Sequence, residues 1–239
     1  MNKKNEVKFI EQYWKPQIID NCQYPFLVID NWYTPNEEKA VWKELDFYSA
    51  TPKKYLEKAE DTIVARDKDG SPRSTAYRFY LETFYNNKLI SPIYNCMKKQ
   101  RSPEFRDIMG NFMPYARSFL STTEDTSLIS YYEDNDHYKP HYDSFSWTCL
   151  IWMVREPKLF DGGDFLLNEP NYEIKLKNNR MVMFPSCLLH SVTPLKFHTQ
   201  PEEAGYGKYT ITHFYFAIPL GDGSDLSLGN NKLPKLWKQ

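Results

Sequence analysis

Hydrophobic and polar positions fall into two textures along this chain. Up to about residue 120, charged helical periodicity mixes with short apolar runs, whereas residues 126–220 read almost wholly as strands. The segment Tyr24-Pro25-Phe26-Leu27-Val28-Ile29-Asp30 is β-branched and aromatic, which predicts a short buried strand. A helix start follows. Thr34 is a good N-cap, Pro35 suits the first helical position, Glu37 completes a capping box, and Val41, Trp42 and Leu45 supply an apolar face. Residues 53–75 mix charges and carry Asp69-Gly70 and Ser71-Pro72 turn signals, so they are expected to form a surface excursion. Helical stretches are expected over roughly 87–101 and 103–110.

The later pattern is different. Strands are predicted over Ser127–Tyr132, Trp147–Val154, Asp164–Leu167 after Gly162-Gly163, Tyr172–Lys177, Arg180–Phe184 and Tyr209–Ile218. Short strands at regular spacing with turn residues between them predict a mainly β fold with flanking helices, of the sandwich or jelly-roll kind. The expected organisation is a strand and helix flank over 1–120, a β core over 121–220 and a tail over 221–239, together one structural domain. The tail GDGSDLSLGNN has the look of a calcium loop but lacks its late bidentate Glu, so it reads as turn-rich chain.

Composition narrows the function classes. With 41% hydrophobic and 16% aromatic residues among 239, the chain can build a packed core and is not a disordered tail. Thirty basic and 31 acidic residues leave a net charge of -1, so no long-range field favours nucleic acid or an anionic membrane. Cys22, Cys96, Cys149 and Cys187 are scattered without a C-x-x-C pair, which excludes a zinc ribbon and fits reduced thiols. The first residues lack the apolar stretch of a signal peptide, and no run approaches a membrane span. The simplest expected compartment is the cytoplasm.

One constellation carries chemistry. In an extended segment residues i and i+2 project to the same side, so His141-Tyr142-Asp143 places an imidazole and a carboxylate together. Such a triplet alone arises readily by chance. A second imidazole, His190, follows the apolar run MVMF and a Pro185-Ser186 turn. Two imidazoles and one carboxylate on one face of an octahedron hold iron(II) and leave the opposite face open. The long last strand then places Lys208, Thr210, Thr212 and Phe214 on one face. A cation and two hydroxyls on an otherwise apolar strand are costly unless they meet a ligand. A dicarboxylate would satisfy them, with Lys208 on its far carboxylate and Thr212 donating beside it. Tyr131 and Tyr138, ten and three residues before His141, offer further hydroxyls. His137, His198 and His213 are expected to stand away from the metal.

With these residues in place, the chain resembles the 2-oxoglutarate and iron(II)-dependent dioxygenases, on the prolyl-4-hydroxylase-like branch. The resemblance covers about residues 126–220 and rests on HYD at 141–143, Gly162-Gly163, FPSCLLHSV around His190 and KYTITHFYF from Lys208. It extends more weakly to FLVIDNWYTPNEEKA and to Pro72-Arg73-Ser74-Thr75, similar to the family's Arg-Thr-Ser segment. The resemblance implies a double-stranded β-helix core with iron at His141, Asp143 and His190. It implies 2-oxoglutarate on Lys208 with Tyr138 or Thr212 assisting, and Tyr131 near its chelating end. It also implies dioxygen as oxidant, ascorbate as a candidate reductant, and Arg73 near the substrate entrance. Asp143 argues for hydroxylation, because a halogenase leaves that position to a halide. Two departures stand out: Trp152 replaces a tyrosine common in relatives, and the segment between His190 and Lys208 is long. The activity implied is hydroxylation of an aliphatic C–H with release of succinate and carbon dioxide, on a prolyl residue of a peptide or protein or on a small molecule. Two competitors remain: a non-catalytic metal-binding jelly roll or phage-type structural β-domain, and a cupin-type metalloenzyme without an organic co-substrate. The first leaves Lys208 and Thr212 unexplained, and the second commonly uses more histidines.

Overall fold

The computed structural model describes residues 26–50, 56–112, 114–169 and 171–218. In chain order its elements begin with strand β1 (Leu27–Asp30), helix α1 (Pro35–Ser49) and strands β2 (Glu57–Lys58) and β3 (Tyr77–Tyr80). Helices α2 (Pro92–Met97) and α3 (Pro103–Phe112) come next, and then β4 (Glu124–Tyr132), β5 (Tyr138–His141) and β6 (Trp147–Met153). Four short strands follow, β7 (Phe160–Gly162), β8 (Phe165–Leu167), β9 (Tyr172–Ile174) and, after them, β10 (Arg180–Pro185). The chain closes on β11 (His190–Val192), β12 (Leu195–Phe197) and β13 (Lys208–Phe216). The capping box at α1 forms as its sequence dictates: Glu37 N–H donates to Thr34 Oγ1 at 3.3 Å, and Thr34 N–H donates to the Glu37 carboxylate at 2.8 Å.

Two sheets face each other. The larger has the order β1-β10-β6-β13-β4-β3-β2, the smaller β5-β11-β8-β9, and β12 pairs with β7 beside them. All pairings are antiparallel. This is the mainly β jelly roll with flanking helices that the strand spacing predicts. Interior strand β6, between β10 and β13, explains the unbroken apolar run WTCLIWM, because every residue of it is buried. Alternation sends Cys149, Ile151 and Met153 outward, into a core shared with Val41, Leu45 and Tyr48 of α1. Leu150 and Trp152 point inward, into a second core between the sheets with Phe165, Val182 and Phe184. Strand β13 obeys the same rule with different chemistry. Tyr209, Ile211 and Tyr215 join the outer core, while Lys208, Thr210, Thr212 and Phe214 face inward. The inward face is therefore polar where the space between the sheets is left open.

The sequence-based boundaries shift at a few places. The strand after Gly162-Gly163 starts at Phe165, with Gly162 ending β7 and Gly163 following it, both at positive φ. A side chain at Gly162 would drive its Cβ to 2.0 Å from the Pro194 carbonyl oxygen, so only glycine fits there. Tyr172–Lys177 shortens to the three residues of β9. The expected first strand is described from Phe26 onward, while Cys22, Lys53, Lys54 and the GDGSDLSLGNN segment lie outside the described residues.

Candidate metal centre and active site

Strand pairing makes the site. β11 lies between β5 and β8, and its register sets His190 directly opposite His141. Their rings stand 4.1 Å apart between centroids. Asp143 follows two residues after His141, and its backbone N–H donates to the Ser186 carbonyl at 3.1 Å. Asp143 Oδ1 lies 3.7 Å from His141 Nε2, and Oδ2 lies 3.5 Å from His190 Nε2. The potential ligand atoms of the three residues all fall within 4.8 Å of one another. Neighbouring ligands on an octahedral metal with bonds of about 2.1 Å are about 3.0 Å apart, so small side-chain shifts close this set around an ion.

Each imidazole is prepared for the task. His141 Nδ1 lies 2.9 Å from the Lys139 carbonyl oxygen and His190 Nδ1 lies 2.8 Å from that of Leu188. A carbonyl can only accept, so Nδ1 carries a proton in both rings and Nε2 is the ring atom turned toward Asp143. Burial, and then the neighbouring His190, hold His141 down to about 2, far below the ordinary histidine value, so the ring is neutral and fit to ligate. The Asp143 carboxylate is aimed by Thr148, whose hydroxyl donates to Oδ2 at 2.7 Å and lies 2.8 Å from Ser186 Oγ. Two imidazoles and a carboxylate with an open face are a donor set suited to iron(II). Thr148 and Ser186 escaped the sequence-based expectations. The one hint was a hydroxyl inside the otherwise apolar run of β6.

The three residues open on a cavity of about 690 Å³, within the range of sites for small organic ligands. Its floor carries Ser130, Tyr132, Trp152, Thr210 and Thr212, and Ile63, Val64 and Ala65 of the surface excursion line it as well. Tyr138 also lines it, stacked on the His141 ring at 3.5 Å between centroids and 12° between planes. Lys208 sits one layer behind. It is wholly buried, its Nζ donates to the Gly163 carbonyl at 2.7 Å, and the rings of Tyr132 and Trp152 flank it at 5.2 Å each. Burial draws its ammonium down to about 7.

One sequence-based expectation needs correction. Tyr131 does not reach the cavity. It faces the outer core, where its hydroxyl accepts the backbone N–H groups of Gly205 at 2.9 Å and Gly207 at 3.2 Å, and its neighbour Tyr132 faces inward instead. Arg73 lies outside the cavity lining. Its Nε pairs with Asp67 at 2.9 Å and its Nη1 donates to the Pro140 carbonyl at 2.7 Å, which pins the excursion to β5 beside His141. Of the other histidines, His213 faces the outer core, 2.8 Å from Ser127 Oγ through Nδ1, and His198 lies on the surface near Asp161. His137 is held through its backbone N–H by Thr75 Oγ1.

Known proteins place this geometry. Residues 127–216 match the family model described as the 2OG-Fe(II) oxygenase superfamily. A segment of 89 residues is 30% identical to proteins named PKHD-type hydroxylase YbiX from Shigella boydii and Escherichia coli. It covers 32% of this chain and 40% of theirs, so the match spans less than half the length of the curated relatives. Among solved structures, a Pseudomonas putida prolyl-4-hydroxylase superposes with a TM-score of 0.55 at 13% identity, covering 90% of this chain and 98% of that one. A bsmA homolog from Methylobium petroleophilum gives a TM-score of 0.50 at 10% identity, covering 91% and 94%. At these identities the structural likenesses establish a shared fold. The segment from β4 to β13, which contains His141, Asp143 and His190, is thus similar in sequence to the 2OG-Fe(II) oxygenase superfamily.

Proposed function

We propose that this protein is an iron(II)- and 2-oxoglutarate-dependent dioxygenase that hydroxylates an aliphatic C–H bond and releases succinate and carbon dioxide. The observation that carries this reading is the convergence of His141, Asp143 and His190 on one wall of a cavity large enough for a co-substrate and a second molecule. Iron with 2-oxoglutarate and dioxygen supplies the oxidising chemistry when bound. The chain's residues bind, aim and exclude water. His141 and His190 present Nε2, and Asp143, steadied by Thr148, completes the face. Lys208 pairs with the far carboxylate of 2-oxoglutarate, exchanging its hydrogen bond to the Gly163 carbonyl for a charge-assisted one. Tyr138 and Thr212 add hydroxyls on the same cavity surface. Phe145, Phe165 and Phe214 keep the remaining walls dry. The excursion, fastened through Asp67 to Arg73 and Lys139, acts as a lid with Arg73 at the entrance, where it meets the incoming substrate.

A prolyl residue of a peptide or protein is the finer candidate substrate, supported by the branch resemblance of the motifs. A non-catalytic jelly roll gives no reason for a buried lysine and two inward threonines beside three metal-ligand side chains. Absorbance under nitrogen tests the reading. Adding iron(II) and then 2-oxoglutarate should produce the visible charge-transfer band of a chelated complex in the wild-type protein. His141→Ala, Asp143→Ala and His190→Ala should each lose it while keeping the far-ultraviolet dichroism of the fold. A full band in any one of them removes that residue from the metal site.

A further inference from the structure

One row of side chains crosses the cavity floor. Arg78 of β3 is in register with Ser130 of β4, Ser130 with Thr210 of β13, and Thr210 with Trp152 of β6. All four line the cavity. Three of them bring polar atoms that are buried without a hydrogen-bond partner: Arg78 Nε, Thr210 Oγ1 and Trp152 Nε1. Arg78 is only 4% exposed. Its Nη1 donates to the Ile63 carbonyl at 3.2 Å, and its guanidinium carbon lies 5.5 Å from the centroid of the Tyr138 ring that stacks on His141. Among the described residues no carboxylate forms an ion pair with it, and Asp143, already committed to the metal face, is the only acid lining the cavity. A desolvated guanidinium without a counter-ion is costly, and a ligand's anion would relieve that cost.

The co-substrate does not fill this need. Lys208 is in register with Tyr132, two residues along β4 from Ser130, and Arg78 stands two strands away from β13. With strands about 4.8 Å apart and a rise of about 3.4 Å per residue, the two cations start roughly 12 Å apart at their Cα atoms. They are separate stations. Iron(II), the Asp143 carboxylate, the 2-oxoglutarate dianion and a protonated Lys208 cancel one another in charge, which leaves Arg78 as one uncompensated positive charge. We propose that Arg78 binds a carboxylate of the primary substrate, which makes that substrate an acid: a free amino acid, another small carboxylic acid, or a peptide presenting its terminal carboxylate. The Arg78 guanidinium takes the carboxylate at the β3 edge of the cavity, and Ser130 and Thr210 offer hydroxyls along the same row. This inference rests on the dioxygenase reading of the metal site.

Calorimetry tests it without turnover. The full chain, loaded with manganese(II) and saturating 2-oxoglutarate under nitrogen, is titrated with a panel of free L-amino acids, small aliphatic acids and short peptides, each beside its primary amide. At least one acid should bind the wild-type protein ten-fold or more tightly than its amide, as expected for a charge-assisted contact in a buried site. In Arg78→Gln that preference should collapse to near unity, and Arg78→Lys should retain part of it. Equal binding of every acid and its amide by the wild type, a comparison that needs no variant, overturns the proposal. So does an Arg78→Gln protein that keeps the full preference, or one whose loss falls on 2-oxoglutarate itself. If 2-oxoglutarate fails to bind the metal-loaded wild type, the dioxygenase reading fails first, and the two failures are told apart.

Discussion

Thr148→Val isolates how the protein aims its carboxylate ligand. Valine keeps the shape of threonine and removes only the hydroxyl that donates to Asp143 Oδ2 at 2.7 Å and lies 2.8 Å from Ser186 Oγ. Thr148 is wholly buried, so water cannot enter readily to replace it. A hydrogen bond to a charged group is typically worth roughly 1.5–3 kcal/mol, and the metal-free protein should lose stability of that order. The functional effect is separate. Without Thr148 the Asp143 backbone N–H keeps its bond to the Ser186 carbonyl, but the side chain loses the bond that fixes its rotamer. Partners that orient a metal ligand commonly change metal affinity by about 10–100-fold when removed, and a loss of about ten-fold or more is expected here. Competition against a fluorescent chelator gives the affinity, and urea unfolding of the metal-free protein gives the stability. Thr148→Ser, which restores a hydroxyl, should recover most of the affinity. If Thr148→Val lowers stability but binds metal as tightly as the wild type, Thr148 supports the strand and does not aim the ligand.

Lys208→Met should weaken 2-oxoglutarate binding by roughly 10–100-fold in calorimetry while leaving metal affinity nearly unchanged, because the lysine meets the distal carboxylate and not the ion. The same variant should not lower the urea midpoint of the metal-free protein, since it replaces a wholly buried cation with an apolar chain of similar length. Tyr131→Phe should cost about 1–3 kcal/mol of stability, by stranding the N–H groups of Gly205 and Gly207, and leave co-substrate affinity unchanged. Burial holds His213 down to about 4, below its ordinary 6.5 in the unfolded chain. As pH falls the unfolded state therefore takes the proton first, and the stability from neutral His213 is present above pH 6.5 and lost toward pH 4. The loss approaches about 1.4 kcal/mol per pH unit, and urea unfolding of His213→Asn across that window should show a shallower slope.

Much of this architecture is legible in the sequence itself. The continuous apolar run of β6, the polar inward face of β13 and the Thr34-Glu37 capping box each encode their structure locally. His141 and Asp143 were readable because extended chain puts them on one side by itself. The phase of β4 was not. From Ser127 to Tyr132 both of its faces are buried, so hydrophobicity does not say whether Tyr131 or Tyr132 looks into the cavity, and a slip of one residue exchanges their roles. Thr148, Ser186 and Arg78 acquire their meaning from strand register and chain reversal across long sequence separations. Nothing near Arg78 in sequence marks it as inward-facing, because its alternation within AYRFY fits either face until β3 pairs with β4. Lys208 was recognisable as an inward cation, but its bond to the Gly163 carbonyl depends on the turn that Gly162 makes possible.

The most direct test of the account is the fate of 2-oxoglutarate in the presence of iron(II) and dioxygen. The wild-type protein should convert it to succinate, with oxygen consumed alongside, and a true substrate from the acid panel should accelerate that conversion. Asp143→Ala should reduce it to the level of iron without protein, since the three ligands act as one unit. An iron-loaded wild-type protein that forms no succinate with or without the panel, or an Asp143→Ala protein that forms it at the wild-type rate, would contradict the account.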